Sequence, residues 1–349
     1  LSNGRGFEPG RIFGPDLARG LALLGMFAAH VAPPGDEQFY DGRSSILFAT
    51  VAGVSLGLLT GGSTPSPPGE RGLRRLSVAI RGATLMLIGI LMTTLLQPPL
   101  AVILDYYGLA FLLLVPLLFA RRPVLAVVAV LIVVLVAPAV AAVTAGVDLD
   151  AIPLLVAPFA NWLLVGTYPV AIWLAFPLAG LLAARSGLER RRTQLIMMGG
   201  GALAAVLGYG AAAVLPGVTA EAHSGTTAEV VASGGVAIAV IGLACLLGTV
   251  PGPAGHGIRV ALFPVAAAGS MALTLYVAHA IALTIVREVN RTESGRWSYP
   301  DETLPVLIVA ALLIGTLWRL LVGAGPLERA LRWITALPAP RRPVPAPPG

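Results

Sequence analysis

Arg19 and His30 stand eleven positions apart in DLARGLALLGMFAAH (residues 16–30), where the chain first becomes apolar enough to enter a bilayer. At ~100° per residue, eleven steps close almost three helical turns, so the two side chains share one face ~16.5 Å apart. A guanidinium grips phosphates, and an imidazole takes a proton near neutral pH. One helix face therefore offers an anion grip at one end and a general base at the other. Asp16, one turn before Arg19, is close enough to pair with it; a helix-start acid beside a snorkelling arginine is the plainer reading.

Other polar residues sit where hydrocarbon would make them costly. His279 lies inside MALTLYVAHAIALTIV, where a neutral imidazole still needs a hydrogen-bond partner, so an inter-helix bond is as natural as catalysis. His223, in EAHSGTTAEV beside Glu221, reads as a binding residue on an outer loop that shares its side of the membrane with Asp41. Asp105 and Tyr106 open another apolar stretch, LDYYG, where an acid also fits ordinary helix-dipole chemistry. Asp105 or Glu221 is in a position to orient a histidine. His256, in a Gly- and Pro-rich inner loop, is expected to do nothing, and Cys245 reads as a small core residue.

The elements that carry these residues are membrane helices. Of 349 residues, 56% are hydrophobic and 11% charged, with a mean hydropathy of +0.86, more apolar surface than a soluble domain of this size can bury. The expected fold is all-α, a polytopic integral membrane bundle of about 10 (10–11) transmembrane helices. Ten apolar stretches are long enough to cross: 17–34, 44–62, 76–96, 101–119, 123–145, 167–184, 194–216, 228–249, 268–287 and 303–323. Residues 151–166, with Pro153, Pro158 and Asn161, read as a re-entrant or interfacial segment rather than an eleventh span. The first stretch lacks a cleavable-signal pattern and is read as a span. A short segment (1–16) precedes the membrane domain (17–323), and a Pro/Arg-rich tail (324–349) follows it.

All the basic residues are arginine, and the net charge is +6. Their dispersal, without interleaved aromatics, argues against a nucleic-acid surface. With the amino terminus inside, the inner segments hold 19 arginines and the outer loops 4. The positive-inside rule then places both termini in the cytoplasm of a cell-membrane protein. Arg71, Arg74 and Arg75 join Arg19 in a basic inner entrance. No nucleotide-loop, dinucleotide or HExxH motif occurs, and no metal is expected.

The segment RIFGPDLARGLALLGMFAAH resembles the first helix of the transmembrane acyltransferase superfamily. DGRSSILFATVAGVSLGLL, YYGLAFLL, GTYPVAIWLAFPLAGLLAAR, AHSGTTAEVVASGGVAIAV and GSMALTLYVAHAIAL are similar to later segments of bacterial heparan-alpha-glucosaminide N-acetyltransferase-like proteins. The resemblance runs from residue 11 to about 335. It implies transfer of an acyl group, commonly acetyl, from a cytoplasmic acyl-CoA donor to a hydroxyl or amine of an extracytoplasmic sugar or glycolipid. Carried over, His30 is the catalytic histidine, Arg19 the motif arginine, and Asp16 part of the start motif; His279 or His223 shares the work. The pantetheine arm would thread along the small-residue face of the first helix (Gly20, Ala22, Gly25, Ala28, Ala29). A transporter or flippase for a small anionic or lipid-linked substrate is the competing reading. Homo-oligomer formation is left open.

Overall fold

In the computed structural model, residues 12–32, 37–146, 152–292 and 297–336 are described. Most of the segment before the membrane domain (1–11) and the Pro-rich tail from 337 onward lie outside them. The described chain is all-helical, with no strand among those residues. In order the helices are α1 (Phe13–Val31), α2 (Arg43–Leu59), α3 (Pro68–Leu96), α4 (Leu104–Leu117), α5 (Arg122–Thr144), α6 (Ala157–Val165) and α7 (Val170–Ser186). They continue as α8 (Arg191–Val214), α9 (Thr227–Thr249), α10 (Gly252–Ala261), α11 (Phe263–Ser270), α12 (Ala272–Val289), α13 (Thr303–Leu321) and α14 (Pro326–Ile334).

By length and apolar composition, α3, α5, α8, α9, α12 and α13 can each cross a membrane, with α6 and α7 together a seventh. That is fewer than the ten expected. α2 has 17 residues and α4 is shorter still, while α1 spends three of its 19 positions on Asp16, Arg19 and His30. The expected re-entrant segment is α6, nine residues bent 41° from α7; at ~1.5 Å per residue it is too short to span alone.

α1, α2, α7, α9 and α11 form the packed centre, while α3, α5, α8 and α13 present apolar faces outward. A Cβ on Gly20 would lie 2.0 Å from the Val265 carbonyl, and one on Gly269 would lie 1.9 Å from that of Asp16. α1 and the chain at α11 thus approach backbone to backbone, as small residues permit in membrane helices. This corrects the expectation of a cofactor path: Gly20 faces α11, and Gly25 faces Ser44 and Tyr40 on the other side. Helices occupy the small-residue positions Gly20 and Gly25 of α1, while Ala28 and Ala29 stay half-buried.

Candidate functional site

The face carrying Arg19 and His30 continues through Leu23 and Met26, both essentially fully buried. At its far end His30 Nδ1 lies 3.0 Å from His279 Nε2, a hydrogen bond joining positions 249 residues apart in sequence. The rings are parallel to within 4°, and Phe27 packs 4.6 Å from His279 on the same helix as His30. Tyr276 closes the other side, 5.1 Å away, its hydroxyl accepting from the Ile103 backbone N–H at 3.2 Å. His279 is 3% exposed, whereas His30 is half-buried and keeps one edge open.

The buried surroundings favour one tautomer. His279 Nδ1 forms no hydrogen bond, yet the carbonyls of Leu275 and Tyr276, in its own preceding turn, act on the ring. A proton faces carbonyl oxygens better than a lone pair does, so Nδ1 carries the hydrogen and Nε2 accepts from His30 Nδ1–H. His30 Nε2 is then left with its lone pair, the state a general base requires.

Arg19 sits at the opposite end of α1. It donates to Asp16 Oδ1 (3.3 Å), Ser55 Oγ (2.5 Å) and the Gly269 carbonyl (3.3 Å). That carbonyl is among the last of α11, which ends where Met271 (φ −128°, ψ 37°) breaks the helix. The next segment is gripped from the other side. Glu328 of α14 accepts from the Leu273 N–H (2.7 Å), the Thr274 N–H (3.1 Å) and the Thr274 hydroxyl (2.6 Å) at the start of α12. The expected ninth span (268–287) therefore begins at a break: α12 remains long enough to cross by itself, while a cation sits on the C-terminal end of α11 and an anion on the N-terminal end of α12, as helix dipoles favour.

A cavity of about 1070 Å³ opens beside Arg19, lined also by Asp16, Ser55, Glu189, Thr249 and Arg259. Arg81, half-buried in α3, feels the charges of Arg19, Arg332 and Glu328. Arg71, Arg74 and Arg75 are not among the cavity's lining residues. The guanidinium groups of Arg71 and Arg75 lie over the Phe119 ring at 5.2 and 5.5 Å, and Arg74 pairs with Glu70 at 3.6 Å. Asp16, fourteen positions from His30, belongs with Arg19 and not with the histidine pair, ~21 Å along the helix.

At the His30 end, His223 stacks parallel (5°) over Trp173 with ring centroids 6.1 Å apart, and meets the edge of Tyr168 at 5.3 Å. It holds a left-handed backbone (φ 61°), which a non-glycine residue adopts only when the surroundings impose it. Glu229 imposes it: the buried carboxylate accepts from the His223 N–H (2.7 Å), the Gly225 N–H (2.7 Å) and the Ser224 hydroxyl (3.3 Å). One ring face is shielded by Trp173 and another edge is open; the shielding pushes the imidazole below its ordinary value, against the Thr167 carbonyl, Asp41 and Glu37.

The remaining expectations scatter. Glu221 is exposed, its backbone N–H donating to Thr219 Oγ1, and orients no histidine. Asp105 accepts from Trp162 Nε1 at 2.9 Å, and its buried Oδ1 has no partner; it touches no histidine either. Tyr106 accepts from Asn161 at 2.8 Å and meets the Tyr168 ring edge-on. Asp41 accepts the Gln38 N–H at 2.7 Å. Sequence reasoning missed Arg81, Arg259, Glu229 and Glu328. Two left signals: a lone arginine within VAIRGATLMLIGIL, and a T-x-x-E capping pattern at Thr226–Glu229.

Residues 179–338 match the model of a family described as "Protein of unknown function (DUF418)". The matched stretch starts within α7 and passes α14, so it takes in His223, Arg259 and His279 but neither Arg19 nor His30. Among curated proteins no match was found.

Proposed function

We propose that the protein is a membrane acyltransferase that moves an acyl group, acetyl as the first candidate, from a cytoplasmic acyl-CoA to a hydroxyl or amine of an extracytoplasmic sugar or glycolipid. The observation that carries this is the pair of ends on one helix: a cavity with Arg19 and Arg259 at one, and the hydrogen-bonded His30 and His279 at the other. Arg19, Arg81, Arg259 and Arg332, against Asp16, Glu189 and Glu328, leave a positive surplus for the donor's phosphates. His30 Nε2 takes the proton as the acceptor oxygen or nitrogen attacks the thioester carbon. His279 Nε2 accepts the hydrogen bond from the imidazolium so formed. The C–S bond then breaks, and the proton passes from His30 to the departing thiolate.

Leu23 and Met26 fill the helix face between the two ends, so the donor arm has to displace them. Met26, an unbranched and adaptable side chain, is suited to that, and the packed layer keeps water from the thioester until then. The test is purified protein in proteoliposomes, labelled acetyl-CoA on the Arg19 side and envelope glycan on the other. Label transfer and thiol release that vanish in His30→Ala are expected; unchanged turnover in that variant removes His30 from the chemistry. One observation favours a transporter instead: the break at Met271 with charges on both helix ends resembles the discontinuous helices at which transporters bind substrates. Substrate flux without thioester consumption would establish it.

A further inference from the structure

A second cavity, of about 830 Å³, lies on the outside of the bundle, far in kind from the polar site around Arg19. α8 packs onto α9 and α5 onto α7, so these two membrane-length helices diverge and leave a groove between them. Its walls are apolar and open: Val130 and Val134 from α5, Ile196 and Gly200 from α8, with Phe176 of α7 on its floor. One end is different. Arg122, at the start of α5, and Arg190 and Arg192, at the start of α8, line the same groove with Ser186 and Thr193. All three arginines are exposed, and none forms an ion pair among the described residues.

We propose that this groove holds an anionic phospholipid of the leaflet bordering its arginine end. The apolar length between two spanning helices is filled by acyl chain, since water there would face bare hydrocarbon. The headgroup phosphate meets three guanidinium groups that have no protein counter-ion, with two hydroxyl side chains beside them. Charge complementarity selects a lipid over a neighbouring hydrophobic helix, because a helix would leave the three cations unmatched. A zwitterionic lipid matches them less well, its own cation opposing theirs. The site is independent of the acyl-transfer reading, as it shares no residue with the Arg19 cavity or the histidine pair.

The probe is an equal mixture of phosphatidylglycerol and phosphatidylcholine offered to the full-length protein in detergent, with bound lipid counted by native mass spectrometry. The wild type is expected to retain phosphatidylglycerol in preference by roughly tenfold, a difference of ~1.4 kcal/mol. R122Q/R190Q/R192Q loses that preference, and R122K/R190K/R192K keeps most of it. A Cβ at Gly200 meets nothing within 4 Å, so Gly200→Leu fills the groove without disturbing the fold and lowers retention of both lipids. Equal retention by the wild type, a preference that survives the triple glutamine variant, or retention unchanged in Gly200→Leu each overturns the proposal.

Discussion

His279→Phe separates a working histidine pair from a packing contact. Phenylalanine keeps the ring that packs against Phe27 at 4.6 Å and against Tyr276 at 5.1 Å, so the local fold is retained. What disappears is the acceptor 3.0 Å from His30 Nδ1. That bond is neutral before the reaction and charge-assisted once His30 has taken a proton, so its loss falls on the transition state. A hydrogen bond to a charged group is worth about 1.5–3 kcal/mol, which converts to a ~10- to 150-fold fall in kcat. The donor's KM is expected to stay unchanged, because Arg19 and its cavity lie ~16.5 Å down the helix. Removing the base itself, as in His30→Ala, costs more, ~10²- to 10⁴-fold. The double variant should be no slower than His30→Ala, since His279 acts through His30. The assay is thiol release from acetyl-CoA in proteoliposomes, with donor concentration varied. His279→Phe turning over within twofold of the wild type, or a double variant slower by the full product of the single effects, refutes the assigned tautomer and the pairing.

Arg185 is buried and donates to the Gly57, Gly62 and Leu118 carbonyls and to the Thr60 hydroxyl; Arg185→Met strands the Gly62 and Leu118 carbonyls at ~1 kcal/mol or more each, while the Gly57 carbonyl keeps the Gly62 N–H. The apparent Tm in detergent should fall by ~5 °C or more, and a fall below ~2 °C would show those carbonyls re-paired. Glu328→Ala uncaps α12 from a distance and should cost ~1–2 kcal/mol, with amide exchange rising first at Leu273 and Thr274. His223 has its value depressed in the folded loop, so the loop is fully held above the ordinary imidazole value of ~6.5 and is loosened as pH falls below it. Amide exchange over residues 215–226, corrected for intrinsic rate, should therefore rise from pH 7.5 to pH 5, and His223→Phe should flatten that response.

Helical period carries across any fold, so the shared face of Arg19 and His30 was legible in the residues alone. The pairing of His30 with His279 was not, because two positions 249 apart meet only through packing that no local pattern encodes. Charged positions divided the same way. Glu221 looked like the working acid because it stands beside His223, yet the T-x-x-E pattern one turn later marks Glu229, whose backbone bonds hold that histidine. Arg71, Arg74 and Arg75 looked like an anion entrance because they cluster in sequence, and the helix does keep them on one face, yet Phe119 takes two of them and Glu70 the third. Between Gly269 and Leu273 no proline falls, and only the Gly269–Ser270 pair hints at the helix break. The break is sustained from outside, by Arg19 on one side and Glu328 on the other. Arg19 therefore has two tasks, closing a broken helix and facing a cavity. From that junction α12 runs through Tyr276 to His279, so the break that Arg19 and Glu328 sustain fixes the start of the helix that carries the second histidine.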